Sequence, residues 1–297
     1  MISPKQVWRL LKQAFQAWSQ DRASQLAAAL AYYTLFSLAP LLILAIAIAS
    51  LFFDNDAVRD QLMGQVEALM GSASADFVRT VLENANRPGE NTGWVASAIS
   101  VGLLLVGATG VLTQLQLALN TIWNLEARPG VGILDQLRKR LLSLGMIIVI
   151  GFLLLVSLIA TSVISGLSDY LQSLMPGLGA LVQLFNIVVA FGLTTLLFAM
   201  MFKYLPDAII AWRNVWFGAA ATAVLFSVGK YLIGLYLGNS GFASSYGAAG
   251  SVVILLVWVF YSAQILFYGA ELTQVYSRSF GSPIRPNQYA VERKPTP

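Results

Sequence analysis

Long apolar runs alternate with short polar connections along this chain. Apolar residues dominate 26–53, 94–120, 141–164, 181–202, 212–237 and 250–275. A helix rises about 1.5 Å per residue, so roughly 20 apolar residues cross about 30 Å of hydrocarbon. All six runs reach that length and predict six membrane-spanning helices. The first run exceeds the roughly 7–15 residues of a secretion-signal core, so it reads as a span rather than a cleaved leader.

The period changes ahead of the first run. In SPKQVWRLLKQAFQAWSQ, Ser3 suits an N-cap, Pro4 the first helical position, and Gln6 completes a capping box. Val7, Leu11, Phe15 and Trp18 share one helical face, with Lys5, Arg9 and Lys12 elsewhere. Such a helix either lies in the cytoplasmic interface or packs beneath the bundle. Residues 54–93 are long for a connection. Val58, Leu62, Val66 and Leu69 form one helical stripe there, and Phe77, Val81 and Leu82 a weaker second, predicting two short amphipathic helices over the outer end. Pro and charged residues fill 277–297, which predicts disorder.

The fold class is therefore all-α. We expect an interfacial amphipathic helix over 1–25, a six-helix transmembrane domain over 26–276 that includes the helical extracytoplasmic loop 54–93, and a disordered cytoplasmic tail over 277–297.

Charge orients the bundle. Lys5, Arg9, Lys12, Arg22, Arg128, Arg138, Lys139, Arg140, Lys203, Arg213, Arg278, Arg285, Arg293 and Lys294 fall in segments on one side. The other side holds only Arg59, Arg79 and Arg87, in a loop rich in carboxylates. The positive-inside rule then puts both termini in the cytoplasm. Because the basic residues flank membrane segments, the net charge of +4 does not imply a nucleic-acid partner.

Composition agrees: 57% of residues are hydrophobic and 11% charged, against about 25% charged in soluble domains. The chain has no Cys and no His, which removes thiol chemistry and the usual zinc, haem and general-base residues. No nucleophile elbow, zinc-protease motif, phosphate loop or embedded carboxylate pair is present, so neither an enzyme, a cofactor nor a metal is expected. The acidic run Asp54, Asp56 and Asp60 reads as a solvated face.

A few polar residues interrupt the spans. Lys230 lies about 27 Å into its span from the cytoplasmic end, with its side chain starting out toward mid-membrane. Either it snorkels to the outer headgroups or it serves a polar interior. Glu271 is too far along the membrane normal to pair with it, by roughly 24 Å. Gln183 and Asn186 match Lys230 in depth. Glu271 falls at the cytoplasmic interface near Arg22, Lys203 or Arg213, where a structural latch with Asn120 and Arg213 is expected. Pro40 removes a backbone donor inside the first span and should kink or break it, with Ser37 one turn earlier. Gly102, Gly107, Gly110, Thr113, Gln114 and Gln116 allow close approach and hydrogen bonding between helices. GNSGFASSYGAAG, between the last two spans, is either a hinge or a loop.

AAALAYYTLFSLAPLL, ALNTIW, YLP, FSVGKYLIGLY and YGAAGSVVILLVWVFYSAQILFYGAE follow one another along the chain. In this order they resemble the YihY/BrkB family of bacterial inner-membrane proteins, formerly labelled ribonuclease BN, over 18–276. The most specific part is Tyr246, Gly247, Trp258, Tyr261, Gly269, Ala270 and Glu271. The resemblance implies a six-helix protein of the bacterial inner membrane with cytoplasmic termini. Its "virulence factor" name implies an envelope role. The ribonuclease label fits poorly, because Asp21, Glu126, Asp135, Asp207, Glu271 and Glu292, the cytoplasmic acids, are scattered over different segments.

The expected function is movement of an anionic, lipid-like substrate. Lys230, Pro40, Gln183, Asn186 and Tyr246 would line its pathway, and Glu271, Asn120 and Arg213 would form the latch. The expected partners are membrane lipids, an anionic lipid substrate among them, and either further copies of the chain or an envelope complex, but no nucleic acid. The rival readings are a structural or assembly factor of the envelope and a tRNA-processing ribonuclease. The threading is checked with a C-terminal reporter: green fluorescent protein is expected to fluoresce there, and alkaline phosphatase to stay inactive.

Overall fold

The computed structural model describes residues 3–50, 54–70, 72–85, 109–129, 145, 179–239 and 249–293, which are mostly helical. The run 141–164, the first part of 94–120 and the loop holding Tyr246 lie outside the described residues. The helices are α1 (Pro4–Gln20), α2 (Ala23–Ala49), α3 (Asn55–Met70), α4 (Ser72–Ala85), α5 (109–122), α6 (Gly179–Tyr204), α7 (Trp212–Asn239) and α8 (Gly250–Phe280). Among the described residues, α6, α7 and α8 are long and apolar enough to cross a membrane.

Helix α1 starts as its sequence dictates. Ser3 N–H donates to Gln6 Oε1 at 2.7 Å and Gln6 N–H to Ser3 Oγ at 3.4 Å, with Pro4 opening the first turn. Its apolar arc is divided. Leu10 and Ala14 are buried against Leu272, Val275 and Tyr276 of α8, while Val7, Trp8 and Phe15 remain exposed, Trp8 at 71%. Tyr268 Oη donates to the Leu11 carbonyl at 3.1 Å. The helix thus packs under the bundle along one edge and presents aromatic side chains along the other, an arrangement that suits a membrane interface. Arg22, in a left-handed conformation at φ 51°, turns the chain from α1 into α2.

Pro40 does not break α2, which runs unbroken through it. The missing donor leaves the Phe36 carbonyl without its intrahelical partner. Ser37 is buried opposite Gly110, where a Cβ would lie 3.3 Å from its hydroxyl. The C-terminal half of α2 is covered by α3 and α4 through Ile46, Val58, Val78 and Leu82. Among the described side chains of α4, Ala75, Val78 and Leu82 are buried and Phe77 only half-buried, so of the expected stripe Leu82 faces inward.

The tightest packing joins α7 and α8, which run antiparallel. A Cβ on Gly218 would lie 1.7 Å from Thr273 Oγ1, and one on Gly269 would lie 1.9 Å from Thr222 Oγ1. Both hydroxyls turn back onto their own helices: Thr222 donates to the Gly218 carbonyl at 2.7 Å and Thr273 to the Gly269 carbonyl at 2.8 Å. The seam continues inward, where Asn214 Nδ2 donates to Ser277 Oγ at 3.0 Å, and outward, where Gly229 meets Ile265 and Tyr261. Lipid is as apolar as leucine, so close backbone approach of this kind holds membrane helices together where the hydrophobic effect cannot. The central core adds Trp123, Phe198, Phe202 and Phe267 among alanines of α2, α5, α6, α7 and α8.

The expectation of disorder is corrected over 277–293; residues 294–297 lie outside the described residues. Helix α8 continues to Phe280, and the chain then forms β3 (Arg285–Pro286) and β4 (Ala290–Glu292). Strand β3 pairs antiparallel with β2 (Ala208–Ile209), and β4 with β1 (Leu125–Ala127). Arg293 N–H donates to the Asn124 carbonyl at 2.8 Å, and Asn287 N–H to the Asp207 carbonyl at 3.0 Å. The polar composition reads as disorder because each pairing partner lies far away in sequence. These strands and α1 form one end of the molecule, here the base.

Gly269→Leu is expected to lower the melting temperature of the detergent-solubilised protein by several degrees, since overpacking a tight contact costs about 1–3 kcal/mol. Gly192→Ala, with no neighbour within 4 Å, is expected to leave it unchanged or slightly raised.

Candidate functional site at the base of the bundle

Segments distant in sequence meet at the base. Asn120 Nδ2 donates to Asp207 Oδ2, and Asp207 N–H donates back to Asn120 Oδ1, both at 2.9 Å and both residues buried. Trp123 Nε1 donates to the Ala270 carbonyl at 3.3 Å. Lys203 Nζ donates to the Ile210 carbonyl and stands 5.6 Å over the Trp212 ring. ALNTIW, the loop after YLP, and GAE are therefore joined side by side.

Trp123 also lines a cavity of about 960 Å³, whose polar lining includes Asp21, Arg22, Gln25, Gln274, Arg278, Glu292 and Arg293. Arg22 and Asn124, the two non-glycine residues with positive φ among the described residues, both line it. Among the described residues the one ion pair is Arg79 with Asp76, on α4. Arg22, Arg278 and Arg293 thus face the cavity without a contact carboxylate.

Glu271 stands behind this cavity at 0% exposure. No N–H or hydroxyl among the described residues reaches either of its carboxyl oxygens. Its charged neighbour is the Asp21 carboxyl, at the turn between α1 and α2. Burial raises Asp21 above its ordinary value of 3.8, opposed by the neighbouring Glu271 carboxyl and by Arg293 and Arg278. A polar seam leads deeper between α2 and α8: Gln264 Nε2 donates to Ser24 Oγ at 3.3 Å, and Gln264 Oε1 has no donor. Gln264, Glu271, Gln274 and Arg278 recur at helical spacing on one face of α8, so the seam opens into the cavity.

The residues expected to form the pathway are not gathered here. Lys230 is exposed on α7, about 100° around the helix from Gly229, which packs on α8. Among the described residues it has no hydrogen bond or ion pair, and none joins it to exposed Gln183 or half-buried Asn186. Pro40 is half-buried in α2, and Tyr246 lies outside the described residues. Of the expected latch, Asn120 is engaged with Asp207, while Arg213 is exposed and its neighbour Asn214 makes the bonds instead, to Ser277 and to the Ser282 carbonyl. Glu271 is fully buried near the base, and Arg22 lines the cavity there.

Sequence reasoning treated the acids on this side as scattered. The fold brings Asp21 and Glu271 together and puts Glu292 on the same cavity. The signal available was local: Asp21 sits at the one break between two helices, and Glu271 two residues after a glycine that fixes helix contact. Among the described residues, no three acidic side chains form a group that could hold a metal ion.

A helical bundle with apolar spans, ordered around a polar cavity at one end, defines a polytopic membrane protein. The model of the family described as Virulence factor BrkB matches residues 14–293, and the chain belongs to that family, in agreement with the YihY/BrkB resemblance of its motifs. It is 28% identical over 264 residues to a UPF0761 membrane protein of Ralstonia nicotianae, covering 89% of this chain and 57% of that protein. A UPF0761 membrane protein of Azotobacter vinelandii is 28% identical, over 89% of this chain and 62% of its own length. One from Pseudoalteromonas translucida is 27% identical, over 91% of this chain and 88% of its own. The chain thus spans about three fifths of the length of the first two relatives. No solved structure matches it.

Asp207→Ala would leave the buried Asn120 amide without its acceptor. We expect a loss of about 1–3 kcal/mol, measured as a lower melting temperature, with Asn120→Ala/Asp207→Ala together less damaging than the sum of the two single changes.

Proposed function

We propose that this protein moves an anionic, lipid-like substrate across the bacterial inner membrane, and that the arginine-lined cavity is where the anion is met on the cytoplasmic side. The observation that carries the reading is the set of Arg22, Arg278 and Arg293 around an open cavity, none of them in an ion pair with Asp21 or Glu292, which line it too. Guanidinium groups take phosphate oxygens in bidentate fashion, and a cavity of about 960 Å³ suits a headgroup with its acyl chains left in the bilayer. The cluster of basic residues on the terminal side favours a cytoplasmic base. Lys230, in the opposite half of α7, is the second cation of the pathway. Transport runs on a gradient or by equilibration, and the role served is envelope integrity.

The rival reading, an assembly factor, would work through the 54–93 loop and the cytoplasmic face; the apolar residues of α3 and α4 that pack against α2 are not free for a partner.

The test uses purified protein in liposomes holding a fluorescent phosphatidylglycerol or a fluorescent phosphatidylcholine, with dithionite quenching the outer leaflet. Wild-type protein is expected to speed movement of the anionic lipid over the zwitterionic one. Arg278→Gln is expected to slow it about tenfold, the factor for losing a charged hydrogen bond of about 1.5 kcal/mol. Lys230→Met is expected to slow it as well. Equal movement of both lipids, or wild-type rates in the Arg278 variant, would overturn the reading.

A further inference from the structure

We propose that Asp21 and Glu271 together form a binding site for one proton, and that its occupancy is linked to an anion in the cavity beside it. The first half stands on the geometry of the pair. Only the linkage rests on reading the cavity as an anion site.

Glu271 is fully buried, and no N–H or hydroxyl among the described residues reaches its carboxyl oxygens. A bare carboxylate in such a place lacks both solvent and donor. Its neighbour is a second carboxyl, and two carboxylates in contact repel. Two neighbouring carboxyl groups can be bridged when one of them keeps its hydrogen. A single shared proton therefore removes one charge and supplies the missing donor at once. The arginines stand farther off: Arg278 and Arg293 act on Asp21 through space, and neither forms an ion pair with it or with Glu271.

The other groups around the pair leave the proton there. Arg22 shares the α1–α2 junction with Asp21, and Arg293 and Glu292 come from the β4 end. The junction after α5 contributes uncharged Thr121 and Asn124. Tyr268 on α8 has its hydroxyl committed to the Leu11 carbonyl. Deeper along α8, the donor-less Gln264 Oε1 lies about 10 Å further in, a polar step past the pair. An anion held by the arginines cancels the positive field that favours ionised carboxyls, so it strengthens proton binding, and the proton strengthens anion binding equally.

The readout is the carboxylic-acid C=O stretch in the infrared spectrum of the full-length protein in detergent, followed against pH. At neutral pH, wild-type protein is expected to show one such band that Glu271→Gln abolishes. Asp21→Asn, which replaces only the partner, is expected to shift it. No band at neutral pH, or a band that neither substitution alters, would overturn the proton site. Loss of the band on adding sodium chloride, with potassium chloride inert, would also overturn it, by giving the pair to sodium. Inorganic phosphate is the anion probe: it is expected to raise the pH at which the wild-type band disappears, but not in Arg278→Gln. No phosphate effect in wild-type protein would refute the linkage and leave the proton site standing. If the band behaves as expected while fluorescent phosphatidylglycerol does not move, the transport reading falls alone.

Discussion

The close approach of α7 and α8 is the constraint on which the rest of the structure depends. Two glycines, Gly218 and Gly269, each face a threonine of the other helix with no room for a side-chain carbon. Helices with larger residues at these points would separate and lose their mutual register. Glu271 follows Gly269 by two residues, so the contact that seats the glycine also decides where the carboxyl is buried. Ala270, between them, is fully buried and gives its carbonyl to Trp123. One short motif thus performs three physical tasks in three consecutive residues.

The base is held by polar bonds between distant segments, and these act in a different medium from the seam. Asn120 and Asp207 satisfy each other in both directions, and Asn214 ties α7 to the end of α8 and the turn after it. Buried amides and carboxylates are tolerable when fully bonded and unfavourable when not. Glu271, Gln264 and Asn214 each keep acceptor oxygens that no described donor reaches, and in Glu271 both carboxyl oxygens are so left. Two bare carboxyl oxygens on a fully buried Glu271, in the turn of α8 before cavity-lining Gln274, mark a place where the molecule keeps polarity that folding alone would not favour.

The cavity also explains the backbone around it. Arg22 and Asn124 adopt left-handed conformations, disfavoured for residues with a Cβ, and both lie on its wall. Each ends a helix abruptly, which leaves room for the C-terminal strands to close over the base without filling it.

The sequence by itself determined the class, the approximate extents of α1, α6 and α7, the start of α8, and the capping of α1, because these follow from local chemistry: apolar length, a serine–proline start, and the missing charges of a membrane span. It also determined that Lys230 and Glu271 would not pair, since depth along a helix is countable. Only the tertiary structure decided that the polar tail becomes two strands, that the chief polar site gathers at Asp21 and Glu271 rather than around Lys230, and that arginines from three separate segments face one cavity. The physical reason is range. Helix formation and insertion depend on neighbours within a few turns, whereas a shared cavity is made by residues up to the whole chain apart, whose spacing carries no local signal.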